Sequence, residues 1–143
     1  MERLASKLNY EILKTKEFIY YKSDFEYIPP GWIKLNNQWY PLGFRVTTLE
    51  NESLGLRKNP TIFKYDIGRW VTETNILIAE RTDNGGIWSG ASLSSARKTQ
   101  SYCLNRKENP FKTKIYYSAL YNPIYANSYG VKSEGLMILE EVK

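Results

Sequence analysis

The segment 85–103 contains the residue types of an anion-binding site. Gly85 and Gly86 precede a short apolar stretch, and a run of serines then leads into a helical pattern that Ser92 can cap. The N-terminus of a helix presents unpaired backbone N–H groups and about half a unit of positive charge, which suits a phosphate group. The segment therefore predicts a ligand that is nucleotide-like or carries a phosphate, with Ser92 among its contacts.

The residues that are missing narrow the possible chemistry. The 143-residue chain has no histidine and a single cysteine, Cys103. This excludes Ser-His-Asp and Cys-His arrangements, an internal disulfide and a cysteine-based zinc site. The carboxylates are not clustered, so no metal is expected. Any catalysis would have to use carboxylate, tyrosine, lysine, arginine or hydroxyl groups.

Basic and aromatic residues alternate in the C-terminal half. The chain has 20 Lys and Arg against 15 Asp and Glu, a formal charge of +5, and 12 tyrosines. Basic and aromatic side chains together suit single-stranded nucleic acid, because phosphates attract cations and bases stack on rings. A solvated helix face is the alternative. The residues concerned are Arg97, Lys98, Arg106, Lys107, Lys112 and Lys114, with Tyr102, Tyr116 and Tyr117.

Strand periodicity also places Tyr117 and Tyr121 on one face of a strand. Such a tyrosine ladder suits either a core or an interface with a protein partner, including a second copy of the chain.

Three short stretches resemble ADP-ribosyltransferases of the polymerase type, in the same order along about 50 residues. Gly55-Leu56-Arg57 resembles the family's Gly-Leu-Arg segment, and Gly86-Ile87-Trp88-Ser89 resembles its Gly-Ile-Tyr-Phe strand. Ser94-Ser95-Ala96, leading to Ser101-Tyr102-Cys103, resembles its Ser-Lys-Ser-Ala-x-Tyr-Cys helix start. The resemblance implies an ADP-ribosyltransferase-like fold.

The resemblance also implies a pocket for a ligand of the NAD or ADP-ribose type. Trp88 would stand where the family's strand tyrosine lies, and Tyr102 would approximate the tyrosine that stacks on nicotinamide. Arg45 or Arg57 would bind the pyrophosphate through paired hydrogen bonds. Ser92 would lie at the same turn.

Catalysis would require a glutamate from the C-terminal strands. The resemblance implies that Glu134 or Glu140 would bind a ribose hydroxyl and stabilise positive charge as nicotinamide leaves. The reaction would then be ADP-ribosyl transfer from NAD. A non-catalytic nucleotide sponge or sensor would keep the same pocket without needing the glutamate.

Apolar spacing predicts two helices that position these residues. Leu4, Leu8 and Ile12 recur every four residues, which indicates an amphipathic helix over residues 1–22. A second helix begins after Ser92 and covers about 93–107.

Short strands fill the remainder of the predicted fold. Asn36-Asn37 predicts a two-residue hairpin turn, and Pro41 limits the strand that follows it. Residues 114–121 alternate as a strand, and Asn122-Pro123 predicts a turn after them. The expected fold class is α+β: a single compact domain over 1–143 with a mostly antiparallel sheet, an N-terminal helix and one helix near 93–107.

Two function classes follow from these patterns. The first is binding of a nucleotide-like ligand by a divergent ADP-ribosyltransferase-like domain. The second is a small phage- or plasmid-type accessory protein that binds a protein or nucleic acid through a basic, tyrosine-rich surface. The longest apolar runs are far too short to cross a membrane and no secretory leader is visible, so a cytoplasmic location is expected.

Overall fold

The chain folds mainly as antiparallel β-sheet. A computed structural model describes residues 10–13, 19–20, 26–27, 29–55, 62–73, 86–126 and 130–143. In this part of the chain, nine strands and one helix follow one another along the sequence. They are β1 (Glu11–Leu13), β2 (Ile19–Tyr20), β3 (Glu26–Tyr27), β4 (Trp32–Leu35), β5 (Gln38–Thr48), β6 (Val71–Thr72), β7 (Ile87–Ser89), α1 (Leu93–Leu104), β8 (Thr113–Ala126) and β9 (Val131–Glu141).

Seven of these strands form one sheet. Its order is β1-β4-β5-β8-β9-β6, with β7 also paired to β9, while β2 and β3 pair with each other. Every pairing is antiparallel. The predicted α+β class is therefore wrong, and the fold is mainly β, because α1 is the only helix among the described residues.

The hydrogen-bonded path through the sheet returns to its starting strand. β5 pairs with β8, β8 with β9, and β9 with β7. Just after β7, Gly90 bridges back to Phe44 of β5, and the two N···O distances are 3.0 and 2.7 Å. Gly43 makes this closure possible, because a Cβ there would lie 2.8 Å from Ser89 Oγ and 2.9 Å from Leu120 Cδ2.

Two apolar clusters cover the two faces of the central strands. Along β8, Ile115 and Ala119 belong to the cluster that includes Ala96 of α1. Their neighbours Tyr116 and Leu120 belong to the second cluster, together with Tyr65. Because successive strand residues point to opposite faces, burying both faces requires apolar residues on each.

The predicted N-terminal helix is wrong. Within residues 1–22, β1 pairs with β4 and β2 pairs with β3, while 1–9, 14–18 and 21–22 lie outside the described residues. Ile12 lies opposite Ile33 in the β1–β4 register. Pairing with β4 satisfies backbone groups at that sheet edge, so a long-range interaction overrides the local four-residue spacing.

Two sequence signals near chain reversals had different outcomes. The Asn36-Asn37 turn is confirmed, since both residues have positive φ (50° and 65°), as a two-residue hairpin with strand-matching twist requires. Pro41, in contrast, does not end its strand. β5 continues through it, because Pro41 lies just before the pairing with β8 begins at Leu42 and its missing N–H costs no ladder bond.

The predicted turn at Asn122-Pro123 is also wrong. β8 runs through both residues to Ala126. Asn122 takes φ 51°, and the β8–β9 register shifts between Pro123 and Tyr125. An irregularity of this kind accommodates a proline, which has no N–H to donate.

The predicted helix after Ser92 is confirmed as α1, ending at Leu104 rather than near 107. Its Ala96 and Cys103 are buried, so this face packs on the sheet. In the part of the chain that the structure describes, no helix is both long and apolar enough to span a membrane.

Candidate functional site

The closure of β7 onto β5 brings together two of the predicted ligand contacts. The Arg45 guanidinium donates a hydrogen bond to the Trp88 carbonyl oxygen and another, of 3.2 Å, to Ser53 Oγ. Its central carbon lies 5.1 Å from the centre of the Tyr65 ring. We call Arg45, Ser53, Tyr65, Trp88 and Ser89 the Arg45 cluster.

The protein itself already engages the Arg45 guanidinium at two nitrogens and one face. Both terminal nitrogens donate to protein oxygens, and the planar group stacks on an aromatic face, as guanidinium groups do. Ser53 Oγ also accepts a 2.9 Å hydrogen bond from the Phe63 backbone N–H. Arg45 therefore joins β5, the segment around Ser53 and β7, which is a structural task.

Four buried polar atoms in the Arg45 cluster have no hydrogen-bond partner among the described residues. They are Arg45 Nε, Tyr65 Oη, Trp88 Nε1 and Ser89 Oγ. Buried polar groups are normally paired with protein or water, so each of these atoms has hydrogen-bonding capacity that the described residues leave unused. Arg45 Nε and Trp88 Nε1 can act only as donors, and they would need an acceptor oxygen.

The Trp88 ring is itself packed between protein groups. The Lys132 ammonium lies 6.0 Å from the ring centre, and Tyr125 meets the ring edge-on at 6.0 Å. Lys132 is fully buried. Its side chain packs directly on Gly86, where a Cβ atom would lie only 2.7 Å from the Lys132 side chain.

The remaining predicted ligand residues are not assembled into this cluster. Ser92 caps α1, because its Oγ accepts a 3.1 Å hydrogen bond from the Ser95 backbone N–H. Tyr102 is 60% exposed on the outer side of the same helix, away from the buried Ala96 and Cys103. Arg57 lies outside the described residues.

The two predicted catalytic glutamates lie near opposite ends of β9. Six residues of strand separate Glu134 from Glu140, which corresponds to about 20 Å. Glu134 Oε1 accepts a 2.8 Å hydrogen bond from Asn122 Nδ2. Glu140 is exposed and accepts a hydrogen bond from the Tyr10 hydroxyl. Each carboxylate has a polar partner, and neither forms a described contact with the Arg45 cluster.

The positive charge of the protein is concentrated elsewhere. Residues 93–114 contain six of the 20 Lys and Arg but one of the 15 Asp and Glu, which is Glu108. This segment therefore has a formal charge of +5, equal to that of the whole chain, while the other residues balance at 14 of each sign. The excess charge is thus confined to α1, the loop that follows it and the start of β8.

Helical spacing places part of this charge on the outer face of α1. Ser94, Arg97, Lys98 and Ser101 lie on one side of the helix, together with Leu93, and line a shallow depression of about 550 Å³. Ser94, Arg97, Lys98 and Ser101 are all exposed. Cations flanked by hydroxyls are a common set of phosphate contacts.

The loop after α1 continues the same charged region. The Phe111 backbone N–H donates a 3.1 Å hydrogen bond to the Cys103 carbonyl, and the Arg106 guanidinium lies 5.7 Å from the Phe111 ring centre. These contacts hold the loop against the end of the helix, where Lys107 and Lys112 are exposed.

We define the basic surface as this set of side chains on α1 and the following loop. Its members are Ser94, Arg97, Lys98, Ser101, Tyr102, Arg106, Lys107 and Lys112. Among the described residues, no carboxylate forms an ion pair with any of these cations, whereas the exposed Arg69 pairs with Asp66 at 3.5 Å. The exposed cations of the basic surface, as far as the described residues go, could therefore pair with an external anion.

Sequence reasoning identified the cations and Tyr102 but missed two other groups. Ser94 and Ser101 were not recognised as part of the surface, although their spacing from Arg97 and Lys98 at three and four residues indicated one helix face. Ser53 and Tyr65 carried no sequence signal, because the turn at 48–51 and the backbone pairing of 51–53 with 63–65 bring them to Arg45.

The wider comparisons supply no family for this chain. A scan against models of protein families and searches of curated proteins and of solved structures find no match, so the resemblance to ADP-ribosyltransferases stays a prediction.

Proposed function

We propose that this protein binds a nucleic acid through the basic surface. The observation that carries the proposal is the confinement of the entire +5 charge to residues 93–114, where the exposed cations have no carboxylate partner in the described part of the chain. Nucleic-acid phosphates attract such a surface, and the release of their condensed counterions drives binding.

The residue types favour a nucleic acid over a protein partner. The buried centre of a protein–protein interface is apolar and poor in charge. The outer side of α1 instead combines hydroxyls with Arg97 and Lys98, and its large exposed apolar side chains are Tyr102 and Leu104. Hydroxyls and cations of this kind contact phosphate oxygens regardless of base sequence.

Salt dependence tests this proposal directly. We would measure the affinity for a labelled oligonucleotide by fluorescence anisotropy at several salt concentrations. If Arg97 and Lys98 each neutralise one phosphate, the double variant R97A/K98A lowers the slope of log K against log salt by roughly 1.4 for a single strand. The protein should remain folded, because both side chains are exposed.

A matched control separates a local contact from net charge. The variant R69A/K143A also removes two exposed positive charges, but from outside the basic surface. We expect it to keep most of the wild-type affinity. Equal losses in the two double variants, or no binding by the wild type at low salt, would contradict the proposal.

The second candidate function is binding of a small nucleotide-like ligand of the NAD or ADP-ribose type beside Arg45 and Trp88. The observation that favours it is the pair of buried donors without partners, Arg45 Nε and Trp88 Nε1. A phosphate or carboxylate oxygen is the kind of acceptor that each of these donors lacks. The ligand would share Arg45 with the Trp88 carbonyl and Ser53 Oγ, which already accept from its two terminal nitrogens.

Thermal unfolding with each small ligand tests the second candidate. A ligand at a concentration of a hundred times its Kd stabilises the folded protein by about 2.7 kcal/mol. This free energy raises the Tm of a domain of this size by several degrees. W88F removes the indole donor but keeps an aromatic ring, so it should reduce the shift. An unchanged Tm with NAD, ADP-ribose and ATP would rule this candidate out.

A further inference from the structure

We infer that the nucleic acid bound by the basic surface is single-stranded and that Tyr102 stacks on one of its bases. This inference rests on the proposed function. It begins from the position of Tyr102, which is 60% exposed and follows Lys98 by one helical turn. Side chains four residues apart on a helix have Cβ atoms about 5–6 Å apart, so a phosphate at Lys98 would bring its nucleotide beside the Tyr102 ring.

The ring of Tyr102 is free to take a new partner. Other tyrosines of the described chain are packed on aromatic neighbours: Tyr40 lies 5.0 Å from Trp70, and Tyr117 lies 5.7 Å from Phe44. No aromatic or hydrogen-bond contact links Tyr102 to another described residue. A base stacked on Tyr102 would therefore displace no aromatic or hydrogen-bond contact with the described residues.

Stacking selects for unpaired bases. In a duplex, each base is already stacked between its neighbours, and an aromatic ring on a rounded helix face cannot insert without separating them. Single strands expose their bases, and a base of any type can stack on an aromatic side chain. The partner class is therefore single-stranded nucleic acid, bound with little preference for base sequence.

The experiment compares two single strands that have the same phosphates. One is an oligothymidylate of about 12 nucleotides, within the usual range for single-strand sites, and the other is an abasic strand of equal length. For one stacked base, the wild type should bind oligothymidylate roughly five- to a hundredfold tighter than the abasic strand. A duplex of equal length should show no such gain over the abasic strand.

Three variants assign this preference to Tyr102. Y102A should bind the two single strands equally, with its affinity for the abasic strand unchanged. Y102F keeps the ring and should keep the preference. Y121A is the matched control, because Tyr121 is also exposed (47%) but lies outside the basic surface, and it should behave as the wild type.

The outcomes distinguish this inference from the function on which it rests. Equal wild-type affinities for the two strands would overturn stacking and leave phosphate binding intact. Stacking on Tyr102 would also be overturned if Y102A weakens both strands equally or if Y121A abolishes the preference. A protein that binds neither strand at low salt would overturn the proposed function itself.

Discussion

Arg45 and Arg97 are both cations, but the two regions that contain them use charge in opposite ways. In the Arg45 cluster, the guanidinium donates to the Trp88 carbonyl and to Ser53 Oγ and stacks on Tyr65. On the basic surface, Arg97 and Lys98 are exposed and have no carboxylate partner among the described residues. An arginine whose terminal nitrogens donate to protein oxygens stabilises the fold, whereas an exposed cation with no described carboxylate partner can bind a ligand.

This comparison predicts that variants in the two regions separate stability from binding. Changes in the Arg45 cluster should reduce the free energy of unfolding and leave the affinity of the folded protein for an oligonucleotide unchanged. Changes in the basic surface should do the reverse. We expect the effect on stability to decrease from Arg45→Ala through Gly43→Ala and Tyr10→Phe to R97A/K98A.

Arg45→Ala should have the largest effect on stability. It removes two part-buried hydrogen bonds from a charged donor and leaves the Trp88 carbonyl without that donor, while Ser53 Oγ keeps the Phe63 N–H, so we expect a loss of about 2–4 kcal/mol. Urea unfolding measures it. Arg69→Ala is the control, because its exposed pair with Asp66 should contribute less than about 1 kcal/mol. Equal losses of unfolding free energy in the two variants would show that Arg45 contributes no more to stability than a surface arginine does.

Gly43→Ala should destabilise the closure that forms the Arg45 cluster. The added methyl group would lie 2.8 Å from Ser89 Oγ and 2.9 Å from Leu120 Cδ2. Overpacking of this kind costs about 1–3 kcal/mol in urea unfolding. Gly135→Ala is a milder test, since its nearest contact would be the Thr72 methyl at 3.1 Å. A neutral Gly43→Ala would mean that β7 can move away from β5 without loss.

Tyr10 provides an intermediate case, because this half-buried tyrosine donates a hydrogen bond to the exposed Glu140. Burial, and then the Glu140 carboxylate, raise the pKa of the Tyr10 hydroxyl well above its ordinary value near 10. The folded state therefore holds this proton more tightly than the unfolded chain, so the stabilisation is complete below about pH 10 and is lost as the pH rises further.

Tyr10→Phe should remove this pH dependence. We expect the variant to be about 0.5–1 kcal/mol less stable than the wild type at pH 8, the size of an ordinary hydrogen bond, and the gap to narrow above pH 10. Urea unfolding of both proteins at several alkaline pH values measures the difference in their free energies of unfolding. Taking the difference cancels the titration of the other tyrosines, which both proteins share. A gap that stays constant would show that the bond does not couple to protonation.

The double variant R97A/K98A should have the smallest effect on stability. Exposed substitutions of this kind change the free energy of unfolding by no more than about 0.5 kcal/mol. Cys103, buried on the opposite side of α1, supplies a sensitive measurement, because burial raises the pKa of its thiol and so keeps it unreactive. The variant should protect Cys103 from a thiol reagent as well as the wild type does, and rapid labelling would show that these cations hold α1 in place.

Local signals predicted the elements that depend on nearby residues. The Asn36-Asn37 turn is set by the readiness of asparagine to adopt positive φ, and α1 begins where the Ser92 side chain can accept from Ser95. These local signals failed where pairing with a strand distant in sequence determines the secondary structure. Residues 11–13 pair with β4, and β8 continues through Pro123 because β9 lies alongside it.

The candidate sites divide in the same way. The cations of the basic surface could be predicted because they are close in sequence and a helix places them on one face. The pocket expected from Arg45, Trp88, Ser92 and Tyr102 could not be judged from the sequence. Whether these residues meet depends on how the sheet and α1 pack together. The structure joins Arg45 to Trp88 and leaves Tyr102 on the outer side of α1.

By itself, the sequence determined the charge of segment 93–114, the cap of α1 and the Asn36-Asn37 turn, because each arises from side chains within a few residues of one another. The tertiary structure alone decided which cations remain available. Arg45 is bound internally because the Trp88 carbonyl and Ser53 Oγ accept from it, and Arg97 is exposed because α1 directs Ala96 and Cys103 into the core. Partners of a side chain are set by packing over long chain distances, which local sequence does not encode.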